Sequence, residues 1–159
     1  MEFDLRPFYA ADADWLVAQH AQHYAQAEGF DETFGVLVAR IVESFLADHD
    51  PAREAGWIAH QGDKPLGSIF CVRLTDATAK LRLFYVDPEA RGTGVAQTLL
   101  DQCLNFARTA GFADMTLWTH ESHKAAGRIY TRNGFTRTHA EPVHSFGVAL
   151  VEETWQITF

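Results

Sequence analysis

Phe3 and Leu5 stand between charged neighbours just before Pro7, and this alternation predicts a short strand over Glu2 to Phe8. From Asp12 to Gln26 the spacing becomes helical, with Trp15, Leu16, Ala18 and His23 spread around the axis. Asp12 or Asp14 is placed to cap that helix and Gly29 to end it. Thr33, Phe34, Val36, Leu37, Ile41 and Phe45 continue a second helical rhythm. It stops before Asp50-Pro51, because a residue preceding proline is steered out of the helical region. Two helices therefore follow the first strand.

Beyond Ala55 the period shortens to that of strands. Trp57-Ile58-Ala59 leads through a turn at Gln61-Gly62-Asp63 to Leu66–Val72, and a turn near Asp76 leads to Lys80–Val86. In the last of these Leu81, Leu83 and Tyr85 are predicted to share a face. Three strands joined this tightly imply an antiparallel meander. From Gly92 onward a helix is predicted, with Val95, Leu99, Cys103 and Phe106 on one face, Leu100 and Leu104 widening it and Gly111 ending it. Met115–Thr119 then reads as a strand that closes a strand-helix-strand crossover. Lys124–Thr131 reads as a short helix, with Ser122 as its candidate cap and Gly134 beyond its end. Phe135–Glu141 and Glu153–Phe159 are the last strands, separated by a loop that includes Pro142–Gly147. The fold class is α/β: one domain over residues 1–159, with a mixed, mostly antiparallel central sheet flanked by helices.

Composition narrows what such a domain does. With 159 residues, 47% of them hydrophobic and 21% charged, the chain can bury a core without disulfide or metal staples. A net charge of −8 argues against a broad phosphate-binding face, so nucleic acid is not an expected partner. No apolar stretch approaches the roughly 20 residues of a membrane span, and the first residues do not resemble a signal peptide, which makes the cytoplasm the expected location. Cys71 and Cys103 lie in apolar surroundings and read as reduced, packed thiols. His20 with His23, and His120 with His123, are spaced closely enough to suggest metal ligation. No third and fourth ligand accompanies either pair, so no metal is expected.

The most informative stretch is Leu83–Ala96, in which a strand runs into Arg91-Gly92-Thr93-Gly94 and then into the long helix. Successive amides at such a helix start can surround an anion, and Arg91 adds a local positive charge. The glycines would equally serve a tight strand-to-helix connection. A dinucleotide fingerprint would stand in the first strand-turn-helix unit, and the phosphate-loop pattern ending in Gly-Lys-Ser/Thr is absent.

This stretch resembles the acetyl-coenzyme-A signature of the Gcn5-related N-acetyltransferase (GNAT) superfamily: Gln or Arg, two residues, Gly, one residue, then Gly or Ala. Arg91, Gly94 and Ala96 occupy its defined positions. A second segment, His123–Phe135, resembles the same family's later motif through Ala126, Ile129, Tyr130, Gly134 and Phe135, with His123 in place of the usual Asn. Asp31–Phe34, Leu117–Thr119, Glu141–Gly147 and Leu150–Trp155 are similar to the acetyltransferase half of proteins that fuse it to a MarR-type regulator. This chain leaves no room for such a regulator, so DNA binding is not expected of it.

The resemblance implies direct transfer of an acetyl group from acetyl-CoA, as cosubstrate, to a primary amine of a small molecule or protein. It implies that Arg91, Gly92, Thr93, Gly94, Val95 and Ala96 hold the pyrophosphate and that Phe84 and Val86 present a strand edge to the pantetheine arm. His123 and Arg128 are the further expected cofactor contacts. Tyr130 is the expected proton donor to the leaving thiolate, since a phenol stays protonated at neutral pH. His120 and Glu121 are candidates to take the amine's proton. His20, Tyr24, Trp118, His144 and Phe146 are expected to border the acceptor. The competing reading is a non-catalytic coenzyme-A sensor or interaction protein. A homodimer through Val148, Leu150 and Trp155 is expected, although the same residues would also complete a monomer's core.

Overall fold

A computed structural model describes residues 1–159. In chain order its elements are β1 (Asp4–Pro7), α1 (Ala13–Glu28), α2 (Glu32–Asp48), β2 (Ala55–Gln61), β3 (Lys64–Arg73), β4 (Thr78–Val86), α3 (Val95–Thr109), β5 (Asp114–His120), α4 (Lys124–Arg132), β6 (Thr136–Ser145) and β7 (Val148–Thr158). The chain forms two compact units, each built from separated stretches. Met1–Ala10, Asp48–Met115 and Phe159 make the first, and Ala11–Ala47 with Thr116–Thr158 make the second.

In the first unit β1, β2, β3 and β4 pair antiparallel in that order, as the short period predicts. Helix α3 lies against β3 and β4. It buries Val95, Leu99, Leu100, Cys103, Leu104 and Ala107, a stripe spaced by three and four residues. This stripe is why the segment folds as a helix on a sheet. Cys71 and Cys103 are buried free thiols, and the Cys103 Sγ lies 3.8 Å from the Phe70 carbonyl oxygen. Burial, reinforced by the adjacent Cys71, pushes the Cys103 thiol well above its ordinary pKa, so it is inert at neutral pH.

Two expectations for this unit are corrected. The helix begins at Val95, and Arg91–Gly94 is a turn before it. In β4 the alternation fails at Leu83, whose φ is +50°. The pairing steps from Ser68↔Tyr85 to Phe70↔Arg82, so β4 carries one residue more than β3 and forms a bulge. Leu81 and Tyr85 are buried while Leu83 is only half-buried. The buried Ser68 hydroxyl donates to the Leu83 carbonyl at 2.6 Å and holds the bulge.

In the second unit β7 lies between β5 and β6, and the Thr116 hydroxyl of β5 donates to the Trp155 carbonyl of β7 at 3.2 Å. Helix α1 buries Leu16 and His20, and α2 buries Val38, Val42 and Phe45. Gly29 ends α1 at φ +73° as expected, whereas Asp12 sits at the cap position without a side-chain cap bond. The loop expected at Pro142–Gly147 is instead mostly strand, because β6 and β7 pair from Thr136↔Gln156 to Ser145↔Val148. Pro142 is tolerated opposite Val151 because β6 is an exposed edge strand, where a missing N–H breaks no interior ladder. The reversal takes only Phe146 and Gly147, at φ +54° and +79°, the pair of left-handed residues that a tight hairpin turn requires. Ser122 does not cap α4: His123 holds that position, and the Ser122 hydroxyl is used elsewhere.

Candidate active site

The first unit supplies a strand end and a glycine-rich turn. After the bulge, the Asp87 amide donates to the Leu66 carbonyl at 2.7 Å, and the Asp87 carboxylate accepts from the Glu89 amide at 3.0 Å. The chain then turns tightly, with the Ala90 amide donating to the Asp87 carbonyl at 2.9 Å and the Thr93 hydroxyl to the Ala90 carbonyl. Gly92 at φ +75° and Gly94 at φ +91° allow this path, and nothing lies within 4 Å of where a Cβ would stand on either. No side chain caps α3, and the first-turn amides of a helix have no partner within it. The expected residues Arg91, Gly92, Thr93, Gly94, Val95 and Ala96 thus form an open, amide-lined turn at a positive helix end. A pyrophosphate fits such a cradle. Phe84 and Val86 lie on the final residues of β4, immediately before it.

The second unit gathers most of the remaining expected residues. Tyr130 is 4% exposed on α4, with its ring 5.5 Å from that of Phe135 and 6.0 Å from that of Trp155. Arg128 on the outer face of α4 lines a groove of about 490 Å³ with Lys124, Arg132, Arg137 and Trp155. Arg137 is held by Glu153 at 3.0 Å, and the Trp155 indole N–H donates to the same carboxylate at 3.2 Å. At the end of β5, His120 is half-buried and Glu121 exposed. Burial lowers the His120 pKa against the opposing pull of Glu28, Glu152 and Glu153. Trp118 is 54% exposed on β5, and His144 is exposed near the hairpin tip.

Phe146 is brought to the loop between α1 and α2. Its ring lies 4.8 Å from Phe30 and 5.0 Å from Phe34, and its carbonyl accepts from the Asp31 amide at 2.9 Å. Tyr24 joins this aromatic wall, at 5.5 Å from Phe30 and 4.8 Å from Phe34. Sequence reasoning missed Glu28, Ser122 and Phe30 as members of the site. His123 Nε2 lies 3.1 Å from Glu28 Oε1, and the Ser122 hydroxyl donates to Glu28 Oε2 at 2.8 Å. One signal was present: an acidic last residue in α1 opposes the helix dipole, which marks a side chain kept for its partners.

His20 is 3% exposed, and its Nδ1 lies 2.8 Å from the Leu16 carbonyl, so it sits behind the surface that Tyr24 presents. Burial lowers its pKa to about 4, with the Leu16 contact opposing and His23 adding to the shift. The unfolded chain binds this proton below about pH 6.5 and the folded one only near pH 4, so stability rises with pH across that window. Acidification from pH 6.5 to 4 is expected to cost about 3 kcal/mol through this group. Urea unfolding across that range is expected to show a shallower pH slope for His20→Gln than for the unaltered protein.

The first unit holds a bulged strand that feeds an uncapped helix start, the second holds a tyrosine-bearing helix, and the class of the chain is an α/β acetyltransferase. The chain belongs to the acetyltransferase (GNAT) family, whose family model matches residues 15–135. Human N-acetyltransferase 8B is 33% identical over 103 residues, covering 62% of this chain and 44% of that protein. The mycothiol acetyltransferase of Geodermatophilus obscurus is 33% identical over 94 residues, covering 55% of this chain and 30% of that protein. The chain thus spans less than half the length of these curated relatives.

Solved structures extend the likeness over the whole chain. A GNAT-family acetyltransferase of Staphylococcus aureus superposes with a TM-score of 0.78 at 17% identity, covering 99% of both chains. The ribosomal-protein-alanine N-acetyltransferase of Brucella melitensis reaches 0.80 at 19% identity, covering 98% of this chain and 99% of that one. The Salmonella typhimurium acetyltransferase yncA, solved with its cofactor acetyl-CoA, reaches 0.76 at 18% identity, covering 99% of this chain and 94% of that one. The fold is that expected from the sequence. No helix is long and apolar enough to cross a membrane. No three His, Cys, Asp or Glu side chains gather as a metal site.

Proposed function

We propose that the protein transfers the acetyl group of acetyl-CoA directly to a primary amine of a small molecule or protein, with residues 1–159 acting as one N-acetyltransferase domain. The observation that carries this reading is the open turn at Arg91–Ala96, with left-handed glycines and an uncapped helix start shaped for a pyrophosphate. The Salmonella relative solved with acetyl-CoA supports the identity of the ligand. When bound, acetyl-CoA supplies an activated thioester.

The chain's own residues do the rest. The amides of residues 92–96 and Arg91 receive phosphate charge, and Arg128 on α4 is a further cofactor contact in this reading. Phe84 and Val86 orient the pantetheine arm along the end of β4. Tyr130 holds a proton on its hydroxyl for the departing thiolate. His120 and Glu121 bring proton-accepting groups to the end of β5. Tyr24, Phe146, Trp118 and His144 border the acceptor, and His20 shapes that wall from behind Tyr24. Two of the stretches that resemble MarR-fused acetyltransferases, Asp31–Phe34 and Glu141–Gly147, meet where Phe146 packs on Phe34.

The reading extends to a cytoplasmic homodimer. Two buried free thiols support a reducing compartment, and the partly buried Val148, Leu150 and Trp155 support pairing through the last strands. Light scattering over a dilution series is expected to show two copies that separate when diluted. The function itself is tested by following thiol release from acetyl-CoA with a panel of primary amines. Release with an acetylated amine by mass is the expected result. Cofactor binding without release from any amine would instead mark a coenzyme-A sensor.

A further inference from the structure

We infer that His123 takes the proton of the acceptor ammonium during transfer, and that Glu28 acts through it as a positioning residue. The inference rests on the transferase reading and adds a role to a position where the family resemblance has Asn and a cofactor contact. The His123 and Glu28 side chains are only 17% and 13% exposed, and their Nε2 to Oε1 separation is 3.1 Å. Glu28 is fixed at its other oxygen by the Ser122 hydroxyl at 2.8 Å, so the carboxylate is held at both ends. With Nε2–H donated to Glu28, the lone pair of the neutral ring resides on Nδ1. A base oriented by a third group in this way follows the logic of general-base arrangements.

The surroundings keep that ring neutral and ready. From α1 it faces Glu28, His23 and Tyr24, the last at 5.0 Å between ring centroids, and from the end of β5 it faces His120 at 5.7 Å. Glu152 and Glu153 of β7 act on His120 in turn. Burial lowers the His123 pKa, Glu28 opposes, and the two histidines add to the lowering. Its place at the N-terminus of α4 also disfavours the imidazolium. His120 has no carboxylate at hydrogen-bond distance, and its buried Nδ1 has no partner. Glu121 is exposed. His123 alone combines burial, orientation and a free acceptor nitrogen.

The proton count closes. An ammonium gives one proton to His123 Nδ1, and the freed amine forms the C–N bond at the thioester carbonyl. Collapse of the adduct breaks the C–S bond. The adduct nitrogen sheds a second proton, which replaces the one delivered to the thiolate by Tyr130. His123 returns its proton to solvent, so each turnover releases an amide, a thiol and one proton.

The test compares wild type, His123→Asn and Glu28→Gln, each shown by calorimetry to bind acetyl-CoA, in thiol release with butylamine, benzylamine, putrescine, lysine and hydroxylamine. Alkylamines arrive protonated at neutral pH, whereas hydroxylamine arrives neutral. His123→Asn is expected to slow transfer to alkylamines about 10²-fold or more, and to hydroxylamine far less. Glu28→Gln removes a group that raises the His123 pKa, so the rising limb of kcat/KM against pH should move to lower pH. The His123 ring signals in an NMR titration should move the same way. Equal loss with both amine classes, no loss at all, or an unmoved His123 titration in Glu28→Gln would each overturn the assignment. A wild-type protein that releases thiol with none of these amines would remove the transferase reading, and this inference with it.

Discussion

Tyr130→Phe is expected to lower turnover about 10²-fold or more while leaving acetyl-CoA affinity close to that of the unaltered protein. The substitution removes one hydroxyl and keeps the ring, which is packed between Phe135 and Trp155, so α4 should stay in place. A hundredfold loss corresponds to about 2.7 kcal/mol of transition-state stabilisation, the range found for loss of a single general acid. The thiolate needs its proton only as the C–S bond breaks, and an interaction made only then lowers kcat without raising KM. Single-turnover measurement of thiol release isolates that step from product release, which can otherwise hide a slower transfer. Wild-type turnover across neutral and alkaline pH would assign Tyr130 to packing alone and the proton to solvent.

The parts of this protein that were legible in its sequence are those where one local rule decides the outcome. Helix α3 was legible because its apolar residues recur every three or four positions and land on a sheet. Gly29 ended α1 as expected because a left-handed residue there favours glycine. Leu83 was not legible: no propensity places a leucine at φ +50°, and the bulge exists because Ser68 on the neighbouring strand holds its carbonyl. Pro142 and Gly147 mark the ends of the loop that the sequence predicts, since their chemistry suits turns. Only pairing with β7 shows that Pro142 lies on an exposed edge, where it costs little.

The candidate site divides along the same line. The turn at Arg91–Gly94 is a local device and was visible as one. Ser122 is the expected cap because it precedes a helix, but its hydroxyl bonds to Glu28, 94 residues earlier. A pairing over that separation leaves no trace in the spacing of either residue. The position of His123 was legible through the family motif, while its partner was not.

Gly94→Val is expected to weaken acetyl-CoA binding about 10- to 100-fold while the fold survives with a midpoint a few degrees lower. A branched residue at φ +91° is strained whatever space surrounds it, at a cost of about 1–3 kcal/mol. The space in front of Gly94 is open, with no protein atom within 4 Å of where a Cβ would stand, so the expected obstruction is to a bound ligand. Each tenfold loss of affinity corresponds to about 1.4 kcal/mol, which a displaced pyrophosphate readily accounts for. Gly111 provides the control. It has φ +90° and equally open surroundings, but lies at the far end of α3. Gly111→Val should therefore show similar strain in thermal unfolding and unchanged affinity by calorimetry. If both variants bind acetyl-CoA alike, the turn at Arg91–Ala96 is a connection between strand and helix, and the pyrophosphate is held elsewhere.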